Sequence, residues 1–154
     1  MPKITPFLWF DTQAEAAAAF YVAIFPNSRI TRVARRPKGV PGETGDVLLV
    51  EFELDGQPHL AMNGGPGHNF TDAVSLMVLC KTQAEIDRYW SALTAGGGEE
   101  IACGWLKDKY GFRWQVAPES IAALLSGPDR AKAERVMAAV MGMVKLDLKR
   151  IEEA

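Results

Sequence analysis

The tetrad Thr-Gln-Ala-Glu stands at residues 12–15 of this chain and again at residues 82–85. Each copy follows a short apolar run, residues 4–10 or 73–80, and precedes an amphipathic one. Without gaps, the positions that follow stay in step: Ala16 with Ile86, Ala19 with Tyr89, Phe20 with Trp90, Ala23 with Leu93. A fixed internal offset of this kind marks a repeated supersecondary unit. The chain is therefore expected to fold as two similar halves that face each other, with a site between them.

Thr-x-x-Glu before an apolar run is a capping box, in which Thr and Glu side chains satisfy early helix N–H groups. Both copies thus predict a helix start. Ala17, Phe20, Tyr21 and Ile24 recur at helical spacing in one copy, Ile86, Tyr89, Trp90 and Leu93 in the other. These aromatic residues are read as core. Pro26-Asn27 stops the first helix and Gly96-Gly97-Gly98 the second.

The remaining segments read as strands. Residues 28–35, 46–54 and 58–63 fill out the first half, with Asp55-Gly56 as a hairpin turn. Residues 37–45 form a Pro/Gly-rich loop, the expected mobile flap. After the hinge Gly64-Gly65-Pro66-Gly67, strands are expected at 74–80, 100–106 and 112–117, and a helix at 83–94. The tail carries helical spacing at 129–141 and a second helix is expected over 143–153. The fold class is therefore α+β: two βαβββ modules, 1–65 and 66–120, with a helical tail at 127–154, in a single domain spanning 1–154.

Charge and composition remove several functions. Seventeen Lys and Arg against nineteen Asp and Glu leave −2, which recommends neither nucleic acid nor an anionic membrane as partner. No apolar stretch approaches the length of a membrane span, and the N-terminal residues lack a signal-peptide core. Cys80 and Cys103 form no C-x-x-C motif and are read as reduced thiols of a cytoplasmic protein. His59 and His68, the two histidines, belong to no zinc-binding spacing. The glycine runs lack both phosphate-cradling patterns, so no nucleotide-like cofactor is expected.

Strand parity selects the site candidates. In residues 4–10, Leu8 and Phe10 share the face a helix would cover, while Thr5, Phe7 and Trp9 share the other. Phe7 and Trp9 are thus candidate pocket walls, since small-molecule pockets are mostly apolar and aromatic. Asn63, Ser75, Arg113 and Gln115 are the candidate polar anchors, expected to converge with Thr5 in one cleft.

The repeat, together with Ile4-Thr5-Pro6-Phe7-Leu8-Trp9-Phe10, Leu54-Asp55-Gly56-Gln57-Pro58, Asn63-Gly64-Gly65-Pro66 and the run from Cys103 to Gly111, resembles the PhnB-like group of the vicinal oxygen chelate superfamily. Members are labelled 3-demethylubiquinone-9 3-methyltransferase domain proteins. The resemblance implies curved sheets paired around a cleft, commonly in a homodimer. It also implies that metal enzymes of the superfamily hold a divalent ion through His and Glu at positions matching Thr5, Asn63, Ser75 and Gln115. None of these is His or a carboxylate, and neutral oxygens hold such an ion poorly. The expectation is a metal-free, cofactor-free small-molecule binding protein. The alternatives are an enzyme (a methyltransferase by family label, or a metal-dependent lyase or isomerase) and an interaction protein with a vestigial pocket.

Overall fold

The computed structural model describes residues 2–154, which divide into two compact units, one up to residue 69 and the other from 70 to 154. In the first unit, β1 (Phe7–Phe10), α1 (Ala14–Ile24), β2 (Arg29–Arg35), β3 (Val47–Leu54) and β4 (Gln57–Asn63) follow in that order. They form one four-stranded sheet ordered β1-β4-β3-β2, with β1 parallel to β4 and the other pairs antiparallel. Asp55 and Gly56 both take positive φ, 48° and 76°, which fixes the two-residue turn between β3 and β4 and hence their register.

Helix α1 covers one face of this sheet. Ala14, Ala17, Ala18 and Tyr21 are its buried residues, and small side chains there let the helix axis approach the strands. Beneath it lie Leu8, Phe10, Val50, Phe52, Leu54, His59 and Ala61, none more than 7% exposed. Each large apolar side chain so buried contributes roughly 1.5–3 kcal/mol.

The two tetrads part company at their helix starts. In the second copy the box forms: Glu85 N–H donates to Thr82 Oγ1 at 3.2 Å, and the Glu85 carboxylate accepts from Lys81 N–H at 2.6 Å. In the first copy it does not. The N-cap is Gln13 without a side-chain bond, and Ala14 N–H donates instead to Asn63 Oδ1 at 2.8 Å. A side chain already held on β4 satisfies the helix end, so Thr12 is not needed as a cap.

The second unit repeats the scheme with β5 (Ser75–Cys80), α2 (Gln83–Thr94), β6 (Glu99–Glu100), β7 (Trp105–Lys107) and β8 (Arg113–Pro118). Its sheet is ordered β5-β8-β7-β6, with β5 parallel to β8. Ile86, Tyr89, Trp90 and Leu93 of α2 are buried, as their spacing predicted. The strand expected over 100–106 is broken. Cys103 and Gly104 sit at φ 57° and 81°, and their N–H groups donate to the carbonyls of Met143 and Val144, both at 2.8 Å. The chain gives up sheet hydrogen bonds there to receive the tail.

That tail contains α3 (Ile121–Ser126), α4 (Arg130–Met141) and α5 (Leu148–Glu152). Helix α3 was not expected, and α5 is shorter than the 143–153 segment read as helical. Ile121, Val136, Val140, Met143, Leu146 and Ile151 pack with Ala117 into a core of their own. Gln83 of α2 clamps the tail, donating through Nε2 to Leu146 O at 3.1 Å and accepting Leu148 N–H at 2.8 Å. Between β7 and β8, the buried Asp108 carboxylate accepts from Tyr110 N–H, Phe112 N–H and Trp114 Nε1 at 2.8–3.1 Å. Among the described residues no helix is long and apolar enough to cross a membrane.

Candidate functional site

Each sheet has one face under its helix and one helix-free face, and the alternation of each strand decides which side chains reach the latter. In the first unit the parallel register pairs Phe7 with Leu60 and Trp9 with Met62. These four form an apolar patch, in which Phe7 is 50% exposed. Toward β2 the same face becomes charged, with Arg32 paired to Glu51 and Arg29 to Glu53.

Trp9 is fixed from the hinge. Its indole N–H donates to Gly65 O at 3.0 Å, and the His68 ring lies 4.5 Å from the Trp9 ring, tilted by 54°. At Gly64 a Cβ would stand 2.3 Å from the indole ring atoms, so only glycine permits this close approach. The hinge glycines therefore shape the wall residue.

Asn63 does not join Phe7 and Trp9. It pairs in register with Phe10 and lies on the face under α1 with Ala61 and His59. Its Oδ1 caps the helix and its Nδ2 donates to Val47 O at 3.1 Å. It reaches a different cavity, near the helix start. The sequence reading assigned the right set of strand mates but the wrong side of the sheet.

In the second unit Ser75, Arg113 and Gln115 do share the helix-free face, with Met77, Leu79, Trp105 and Lys107. Gln115 Nε2 donates to Ser75 Oγ at 2.9 Å. Arg113 is already engaged: its guanidinium binds Asp72 at 2.7 Å and the carbonyls of Gly111 and Phe70 at 2.6 and 3.3 Å. It braces the segment leading into β5. Met77 and Leu79 are 47% and 57% exposed, so the Ser75–Gln115 pair has apolar side chains on one side and Arg113 on the other.

The titratable groups offer little acid–base chemistry on these faces. His59 is 3% exposed, donates from Nδ1 to Gln57 O at 2.8 Å and stacks on Phe52. Burial holds its pKa below the usual imidazole value despite that bond. Burial, with the Glu85 charge second, pushes the Cys80 thiol up to about 11, away from nucleophilic use.

A divalent ion does not fit the positions where the superfamily holds one. Ser75 and Gln115 present a hydroxyl and an amide already bonded to each other, the Thr5 hydroxyl, ahead of β1, donates to Pro2 O at 3.4 Å, and Asn63 lies under α1 with its amide bonded to Ala14 N–H and Val47 O. Among the described residues no group of three His, Cys, Asp or Glu side chains could hold a metal ion.

Leu60, Met62, Gly64 and His68 were missed as neighbours of Trp9. For the first two a signal existed. The Asp55-Gly56 turn sets Leu54 opposite Gln57, which places 59, 61 and 63 on the side of Phe52 and Val50.

A family model described as 3-demethylubiquinone-9 3-methyltransferase matches residues 2–117; residues 118–154 lie beyond it. The PhnB protein from Bacillus cereus is 37% identical, with a TM-score of 0.67 over 75% of this chain and 98% of that one. Protein PA1353 from Pseudomonas aeruginosa shares the fold at 16% identity, with a TM-score of 0.64 over 77% of this chain and 98% of its own. FosX from Listeria monocytogenes, a fosfomycin resistance protein solved with Mn(II) and 1S,2S-dihydroxypropylphosphonic acid, shares it at 15% identity. Its TM-score is 0.52, over 75% of this chain and 92% of that one. No curated protein sequence matches.

Proposed function

This chain belongs to the 3-demethylubiquinone-9 3-methyltransferase family, the PhnB-like branch of the vicinal oxygen chelate superfamily, and from that premise we propose that it is a metal-free small-molecule binding protein. The observation that carries this reading is the Gln115–Ser75 hydrogen bond. Two positions that would each have to offer an anionic or imidazole donor instead satisfy one another with neutral groups. Beside that pair and around Trp9 the helix-free faces carry apolar side chains, the contact surface a weakly polar or aromatic ligand requires. Each unit offers such a face by itself: Phe7, Trp9, Leu60 and Met62 on the first, and Ser75 and Gln115 with Met77 and Leu79 beside them on the second.

A homodimer is part of the proposal. β1 and β5 are edge strands, and they carry the exposed Phe7, Met77 and Leu79. Exposed edges with apolar side chains favour pairing with another strand. Light scattering coupled to size exclusion tests this: a mass of two chains is expected, and a mass of one chain would count against it.

A thermal-shift screen of quinones, glycopeptides and aromatic metabolites on metal-stripped protein tests the ligand reading. A hit that stabilises the wild type and loses its effect in Trp9→Ala supports it; a hit indifferent to Trp9→Ala counts against it. Methyl transfer is the second reading, favoured by the family description alone. Saturable calorimetric binding of S-adenosylmethionine would establish it in place of the first.

A further inference from the structure

The cavity that Asn63 reaches encloses about 370 Å³ and is lined by Asp11, Thr12, Glu15, Arg35, Arg36, Asp46 and Val47 beside it. It lies wholly within the first unit. Arg36 and Asp46, on its rim, are the two residues that flank the loop 37–45, which was expected to be a mobile flap and is tied at its neck by backbone hydrogen bonds. Arg36 N–H donates to Asp46 O at 2.6 Å, and Gly45 N–H donates to Arg36 O at 2.9 Å. Arg36 also ties the loop to the sheet, donating to Pro41 O at 2.6 Å and to Asn63 O at 3.0 Å.

The charges in this cavity are arranged unusually. Three carboxylates and two guanidinium groups line one hollow, yet none of the five enters an ion pair among the described residues. Arg36 Nε is buried against Gly42, where a Cβ would come within 2.7 Å of it, and it has no acceptor. A buried donor left without a partner is costly. Thr12, released from capping by Asn63, adds a hydroxyl to the same wall. With Val47 as the single apolar lining residue, the hollow suits a small polar molecule rather than an aromatic one.

We propose that this cavity is a second binding site, for a small amino-acid-type zwitterion of net positive charge. Arg35 and Arg36 hold its carboxylate, and Asp11, Glu15 and Asp46 hold its ammonium groups. Three acidic against two basic lining groups leave one negative charge for the ligand to neutralise. Bidentate Arg–carboxylate geometry supplies the orientation.

The test is titration of the intact protein with L-lysine by calorimetry and by two-dimensional amide NMR. Saturable binding is expected, with shifts centred on Thr12, Arg36 and Asp46. Cadaverine, which lacks the carboxylate, and 6-aminohexanoate, which lacks the α-amino group, are expected to bind more weakly. Arg36→Gln and Asp46→Asn should each weaken L-lysine by about tenfold or more. Asp46 is exposed, so its variant gives a reading even where Arg36→Gln loosens the loop. No saturation by L-lysine at millimolar concentration, equal binding of cadaverine, or shifts confined to Gly64, Gly65 and the Trp9 indole would each overturn the proposal.

Discussion

Asn63 Oδ1 accepts the Ala14 N–H at 2.8 Å, so the first helix is capped from the last strand of its own sheet. The same amide donates to Val47 O, so one side chain ties together a helix end and two strands. Replacing it with Ala leaves a buried N–H and a carbonyl unpaired. Asn63→Ala is expected to lose roughly 1–3 kcal/mol in urea denaturation. Asn63→Asp keeps the acceptor and should fall between, while Thr12→Ala should change little.

Gly64 is where backbone and indole come closest. Gly64→Ala pushes Trp9 out of its seat, at roughly 1–3 kcal/mol for the overpacking. It also breaks the Trp9–Gly65 bond and the contact with His68. The readout is a change in indole emission together with loss of any ligand that depends on Trp9.

His59 gives the stability a pH dependence of definite sign. Its native pKa lies below the free value, so in acid the unfolded chain binds the extra proton first. Stability is therefore complete above the free imidazole value of about 6.5 and falls as pH drops below it. His59→Phe, which keeps a ring stacked on Phe52, should flatten that fall in urea midpoints measured from about pH 7 to pH 5.

Gln83 and Gln13 occupy the same place in the two tetrads but do different work. Gln83 bonds both Leu146 O and Leu148 N–H, whereas the Gln13 side chain is exposed. Gln83→Ala should raise amide exchange over residues 146–148 and lower stability by about 1–3 kcal/mol. Gln13→Ala should do neither.

Much of this was legible in the residues. The repeated tetrad and the two apolar runs specify both modules, and Gln83–Thr94 is the helix the spacing predicts. Parity placed Leu8 and Phe10 in the core because a strand offers only two sides. It failed at Asn63 because parity groups residues without saying which group a helix covers. The register through Asp55-Gly56 carries that information across the hairpin. The break at Cys103-Gly104 and helix α3 were hidden for another reason: both depend on the tail packing against the second sheet, a non-local contact that no window of sequence contains.

The most direct test of the account is elemental analysis of protein purified without chelators, normalised to chain concentration. Neutral, mutually bonded Ser75 and Gln115 predict that no divalent transition ion accompanies the chain in stoichiometric amount. One manganese, zinc, nickel or iron ion per chain, lost in Gln115→Ala, would contradict it.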